Sequence, residues 1–436
     1  MGYHSGMKTY THRALLGWAV LFGLSVALVP AWLPSALADD SIESVVQEKI
    51  KELEEQLEVL RGEREEDPEA TEEGADVTAT QPEVAATQEA AATQPAEEVV
   101  QRAKYKPVVL TKRQREVCDE VGIDKKQLGE LIGKPLYEFN EAEVDVYLRY
   151  LMVYEPELPA RIKHLARKNI GQPYELYLLG EMPFEHYDPQ PIYCLDRSDC
   201  LVYTEHTYAM ALTDNWQDFI RVLQRIRYDG GRIGVVTRNH YTEADWNPNN
   251  NWLVRDITAE LARQRVVKFK QKVDRAKFLR NRYKLETDIP VQEYVHEFIR
   301  FEDIDMAKAR LRDGDFVNIV RGKPPGAGNK KGKQQPGSME DIFGGSAWVG
   351  HTGLIVIGDD GEVNLIHSAR PTVREEPIDE FIARSTEDLA ERDAAGKARL
   401  LGFKFLRLQK DPLSNLREID GPGAPRVVLP GGGGTE

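Results

Sequence analysis

The chain has 436 residues and a formal net charge of −15, from 72 Asp and Glu against 57 Lys and Arg. The excess is local: residues 39–100 hold 20 acidic and 4 basic side chains, and the rest is close to neutral. No part offers the basic field that a nucleic-acid binder needs, so nucleic acid is excluded as a partner.

In chain order, Lys8 and Arg13 precede an uncharged apolar run from Ala14 to Val29, and Ala36-Leu37-Ala38 precede Asp39-Asp40. Residues 1–38 therefore read as a cleavable signal peptide, which implies a periplasmic or secreted protein of the cell envelope. Left uncleaved, the same segment would tether the chain to a membrane. Val46, Ile50, Leu53, Leu57 and Leu60 then fall at steps of four and three, the seam of a short coiled-coil helix over 39–61. Through residues 42–60 such a seam holds two or three chains together weakly; a solvated single helix fits the same pattern. Residues 62–103 are rich in Glu, Ala, Thr, Gln and Pro and lack any aromatic side chain, which reads as a disordered acidic linker.

The folded part is expected over residues 104–420, with a disordered Gly/Pro-rich tail over 421–436. Helices are predicted from Arg113, over Glu141–Val153 behind an Asn140 cap, and over Pro159–Lys168. A further helix is predicted to run from Cys200 to the Gly230-Gly231 stop. Strand patterns follow at Asp315–Val320, Gly350–Ile357, Val363–Ser368 and Leu401–Leu408, with Asp359-Asp360-Gly361 as a hairpin turn. Helices first and meandering strands later predict an α+β domain with helices packed on an antiparallel sheet. Residues 322–346, rich in Gly, Pro and Lys, read as a flexible insert, either a lid or a disordered excursion.

Three cysteines leave at least one thiol free within a chain; a Cys118–Cys194 bridge would leave Cys200. Cys200 opens the predicted helix directly after Arg197-Ser198-Asp199. Helix N-terminal N–H groups favour a thiolate there, and the residue's own N–H is placed to stabilise an oxyanion. His351 and His367 lie on opposite arms of the predicted hairpin, at similar distances from its turn, so they are expected to be neighbours. One would take the thiol proton while the other fixes its ring, as covalent acyl transfer requires. No His-Glu-x-x-His or paired Cys-x-x-Cys spacing occurs, so neither a metal nor another cofactor is called for.

Several blocks carry a family resemblance. They are Gly171-Gln172-Pro173-Tyr174, Asp199-Cys200-Leu201-Val202-Tyr203, Arg225-Ile226-Arg227-Tyr228-Asp229-Gly230-Gly231, Arg238-Asn239-His240-Tyr241 and Asp245-Trp246. Leu311-Arg312-Asp313-Gly314-Asp315, Gly350-His351-Thr352-Gly353 and Ile366-His367-Ser368-Ala369 follow. In this order, over roughly residues 160–408, they resemble the N-acetylmuramoyl-L-alanine amidase-like branch of the NlpC-type cell-wall cysteine hydrolases. The resemblance implies a papain-like fold and hydrolysis of a peptidoglycan amide. It places the nucleophile on Cys200, the base on His351, the third polar residue on His367 and an active-site tyrosine on Tyr174, for which a core aromatic is the competing reading. Asp199 is a candidate for the substrate or oxyanion site. His240, Tyr241, Asp245 and Trp246 are candidates for substrate contact, with a packed loop anchor as the competing reading. The residues after Cys200 depart from the family's usual Thr-Phe-Val-Glu and bring in His206, which reads as a surface residue, with a second polar group lining the site as the alternative.

The expected substrate is peptidoglycan or a muropeptide, cut at the lactyl amide of N-acetylmuramoyl-L-alanine or at a γ-D-glutamyl bond to the diamino acid. A non-catalytic muropeptide-binding scaffold is the reading from a different class, and an acyltransferase would use the same thiol with an amine acceptor.

Overall fold

The computed structural model describes residues 105–263, 265–322, 347–390 and 398–420. All of them belong to one compact unit. The expected signal peptide, coiled coil, acidic linker and tail lie outside these residues, as does the insert apart from Gly322. No helix among the described residues is long and apolar enough to cross a membrane.

Four helices come first: α1 Lys112–Val121, α2 Lys125–Gly133, α3 Glu141–Tyr154 and α4 Leu158–Lys168. Thr111 with Gln114, and Asn140 with Glu143, form reciprocal capping boxes that satisfy the first N–H groups of α1 and α3. The long helix expected from Cys200 is instead two, α5 Cys200–Ala211 and α6 Trp216–Arg227. Polar residues decide the break: Thr213 Oγ1 bonds back to the Ala209 carbonyl, and the Asn215 side chain accepts the Asp218 N–H to start α6. Two later helices, α7 Arg275–Tyr283 and α8 Ile378–Thr386, and the C-terminal α9 Pro412–Asp420 complete the set labelled here.

Among the described residues, eight strands form one sheet: β1 Val254–Asp256, β2 Val267–Val273, β3 Gln292–Arg300, β4 Phe316–Gly322, β5 Ala347–Ile357, β6 Val363–Ser368, β7 Val373–Pro377 and β8 Arg399–Leu408. Their order is β2-β3-β8-β4-β5-β6-β7 with β1 beside β8, and every pairing is antiparallel. The fold is thus α+β with an antiparallel sheet, as the pattern predicts. The strands β1, β2, β3 and β7 are additional to the predicted set. In β2 the exposed positions are Lys268, Lys270 and Lys272, and the route from β3 to β8 spans about a hundred residues that no local pattern reveals.

Both faces of the sheet are covered. Phe316, Leu354, Val356, Ile366 and Leu406 join the core under α1 to α6. Val317, Ile319, Ile355, Leu365, Phe403 and Phe405 point the other way, against Ile378 and Phe381 of α8. This explains the continuous apolar run Leu354–Ile357, since a strand buried on both faces has no polar side to show.

Candidate active site

Helix α5 is the buried axis of the site, with every residue from Val202 to Ala211 enclosed. The Tyr203 hydroxyl donates to the Ala166 carbonyl at 3.0 Å and the Tyr208 hydroxyl to the Gly314 carbonyl at 2.7 Å. Glu205, buried on the same helix, accepts from Arg227 and from the Trp246 indole, each at 3.0 Å. The helix therefore holds its first residue, Cys200, against a rigid frame.

Asp199 caps this helix. Its Oδ1 accepts the N–H groups of Leu201 at 2.9 Å and Val202 at 2.8 Å. A carboxylate so engaged accepts hydrogen bonds and donates none, so Asp199 is a cap and not an oxyanion-hole donor. The Cys200 residue is partly exposed, but its thiol faces the backbone N–H and the hydroxyl of Thr352. Desolvation first, and then the adjacent Asp199 carboxylate, push the thiol up to about 12, against the opposing pull of Thr352 and the Leu201 N–H. The helix start expected to yield a ready thiolate thus carries a protonated thiol at rest, because burial, and then the Asp199 carboxylate, outweigh the field of the helix start.

Two sets of bonds fix this loop to the sheet. The Ser368 hydroxyl donates to the Ser198 carbonyl at 2.9 Å, tying the residue after His367 to the approach to Cys200. Gly171 and Gln172 pair with Val373, and the Tyr174 N–H donates to the Pro371 carbonyl at 3.0 Å. Tyr174 also bridges Ser198. Its half-buried ring lies 5.9 Å from the Arg370 guanidinium, and burial followed by the nearby thiol raises its hydroxyl well above the usual phenol range.

His351 and His367 are in direct contact, with His351 Nε2 2.6 Å from His367 Nδ1. The β5–β6 ladder closes at Leu354–Ile366, which sets Gly353 opposite His367 and His351 diagonally beyond it. Burial, and then the charges of His367, Arg321 and Arg374, hold His351 well below the usual histidine range. Thr352, the next residue on β5, is the one that faces the thiol; among the described residues no hydrogen bond joins Cys200 to His351.

The chain of contacts continues to a residue the sequence reading missed. His367 Nε2 lies 2.7 Å from Glu376 Oε1 on β7. Burial raises the Glu376 carboxyl, but bonds from His367 and Arg384 outweigh it and hold the carboxylate well below its usual range. The available signal is the charged run Arg374-Glu375-Glu376 just after the turn that follows His367, which returns a carboxylate beside that histidine.

Other candidates are placed elsewhere. Trp246 is fully buried and stacked on Phe316 with ring centroids 4.6 Å apart. Tyr241 is buried, and Asp245 accepts its N–H at 3.0 Å and the Arg275 Nε at 2.9 Å. His240 bonds the Val235 carbonyl at 2.6 Å and packs on Phe278. These contacts pack the four residues into a loop against the core. His206 is not on the surface either: α5 has no solvated face, and burial pushes this ring down to about 3. Cys118, Cys194 and Cys200 are all free thiols, so the Cys118–Cys194 bridge does not form.

Among known proteins, a family model described as N-acetylmuramoyl-L-alanine amidase-like matches residues 164–386, a span that includes Tyr174, Cys200, His351, His367 and Glu376. A Legionella pneumophila protein of the DUF1460 family is 17% identical, with 62% of this chain and 97% of that one covered and a TM-score of 0.49. A Bacteroides uniformis N-acetylmuramoyl-L-alanine amidase is 20% identical, with 58% and 99% covered and a TM-score of 0.39. No curated protein sequence matches the chain.

Proposed function

Because the chain belongs to the N-acetylmuramoyl-L-alanine amidase-like family, we propose that it is an exported enzyme that hydrolyses the lactyl amide of peptidoglycan through a Cys200 thioester. The observation that carries this reading is the contact between His351 and His367 on adjacent strands, beside the Thr352 that faces the thiol. In this reading the head is papain-like and of the NlpC type. The expected signal peptide delivers it to the envelope.

The resting thiol is protonated, so attack begins with proton transfer. His351 takes the Cys200 proton as the sulfur adds to the lactyl carbonyl, and His367 steadies the resulting imidazolium. The Cys200 N–H at the helix start contributes to the oxyanion site. Collapse breaks the C–N bond, and His351 returns the proton to the departing L-alanine amine. Water then adds to the thioester with His351 again as base, releasing the muramic carboxylic acid and restoring the thiol. Tyr174, beside the thiol and under Arg370, lines the approach of the substrate.

The test incubates the purified protein and its Cys200→Ala form with peptidoglycan and defined muropeptides and identifies products by mass spectrometry. Intact stem peptides released by the wild type alone are expected. Cleavage inside the stem would make it a γ-D-glutamyl endopeptidase, and binding without any thiol-dependent product would make it a muropeptide scaffold.

A further inference from the structure

Nucleophile, base and orienting residue complete the proposed reaction, yet the polar chain does not stop there. Both nitrogens of His367 are engaged, Nδ1 with His351 Nε2 at 2.6 Å and Nε2 with Glu376 Oε1 at 2.7 Å. Glu376 is itself held from the other side: Arg384 places one guanidinium nitrogen on each carboxylate oxygen, the Nη2–Oε1 contact at 2.7 Å, and Arg374 Nε reaches Oε1 at 3.2 Å. This fork geometry favours the ionised carboxylate.

An ionised carboxylate only accepts hydrogen bonds, so His367 Nε2 must carry the proton and donate it. In a neutral ring, Nδ1 of His367 then holds a lone pair and accepts from His351 Nε2–H. That leaves Nδ1 as the bare, basic nitrogen of His351. Without the anion the ladder can run in reverse: His367 Nδ1–H donates to His351 Nε2, the His351 proton moves to Nδ1, and the base is blocked.

We propose that Glu376, clamped by Arg384 and Arg374, is a positioning residue that fixes the tautomer of both histidines through His367 and so keeps His351 Nδ1 free to take a proton. The assignment rests on Cys200 and His351 acting as nucleophile and base. The charged and titratable groups acting on His351 include His367, Arg321, Arg374 and Glu376, and those on His367 include Glu376, Arg374 and Arg384.

The test reads tautomers and thiol reactivity, so it does not depend on which bond is cut. Histidine-labelled nitrogen NMR at neutral pH should show His351 and His367 both as Nε2–H tautomers in the wild type. In Glu376→Ala the signals should become a tautomer mixture, and alkylation of Cys200 by iodoacetamide should slow by about tenfold or more. Glu376→Gln keeps an oxygen acceptor in the same volume and should lie between the two, which serves if the alanine variant fails to fold. Wild-type tautomers and alkylation rates retained in Glu376→Gln and Glu376→Ala would overturn the assignment. Normal tautomers with no muropeptide hydrolysis in the wild type would count against the amidase reading alone.

Discussion

Gly353 stands so close to His367 that a Cβ on the glycine would lie 3.0 Å from the Cβ of the histidine. The same atom would meet the Ile366 carbonyl oxygen at 3.0 Å and a Leu365 methyl at 2.8 Å. The Gly-His-Thr-Gly block thus owes its last residue to the approach of β6, which brings His367 under His351. In Gly353→Ala the two strands must move apart, stretching the imidazole contact. Hydrolysis should fall by about tenfold or more while stability drops by only about 1–3 kcal/mol, as overpacking does. Rates and thermal melts compared with wild type check this; full activity would show that the close approach is dispensable.

Asp199 both caps α5 and opposes ionisation of the residue it positions. Asparagine caps a helix about as well but carries no charge. Asp199→Asn should therefore keep the fold and lower the thiol from its elevated value, since burial remains but the neighbouring anion is gone. Alkylation of Cys200 at pH 7 should become severalfold faster, and the pH profile of alkylation should move to lower pH. A profile that does not move would remove Asp199 from the control of the thiol.

Trp246 is treated by the structure as a core side chain whose indole N–H serves Glu205 at 3.0 Å. Trp246→Phe leaves a buried carboxylate oxygen short of a donor, which costs about 1–3 kcal/mol. Denaturation should report that loss while the KM for a muropeptide stays at the wild-type value. A raised KM with unchanged stability would return Trp246 to the substrate surface.

The buried histidines make stability depend on pH. Burial first, then Arg227, push His206 down to about 3, against about 6.5 in the unfolded chain. The folded value lies below the unfolded one, so the contribution is full above about pH 6.5 and is lost as pH falls. His206 alone should remove about 1.4 kcal/mol per pH unit in that window. His164, pushed down to about 4, and His240, to about 3, act in the same direction. Urea denaturation at pH 7.5 and 5.0 should show the drop, and His206→Gln should reduce it; equal slopes in both proteins would remove His206 from the effect.

What the sequence by itself determined was local. The Asn140 cap, the start of α5 at Cys200 and the Asp359-Asp360-Gly361 turn each follow from a few adjacent residues. The hairpin register between His351 and His367 followed from the same turn, because an antiparallel pair inherits its alignment from the loop that closes it. The motif order also carried the family.

Tertiary structure decided whatever depends on a neighbour distant in the chain. Burial of α5 on all sides turned His206 from a surface residue into a neutral core ring, and the packing of Phe316 claimed Trp246. Glu376 entered the site because β7 returned beside β6, and the thiol stayed protonated because burial desolvated it, against the opposing pull of Thr352. Burial and charge pairing are sums over such neighbours, so residue type and spacing alone do not express them.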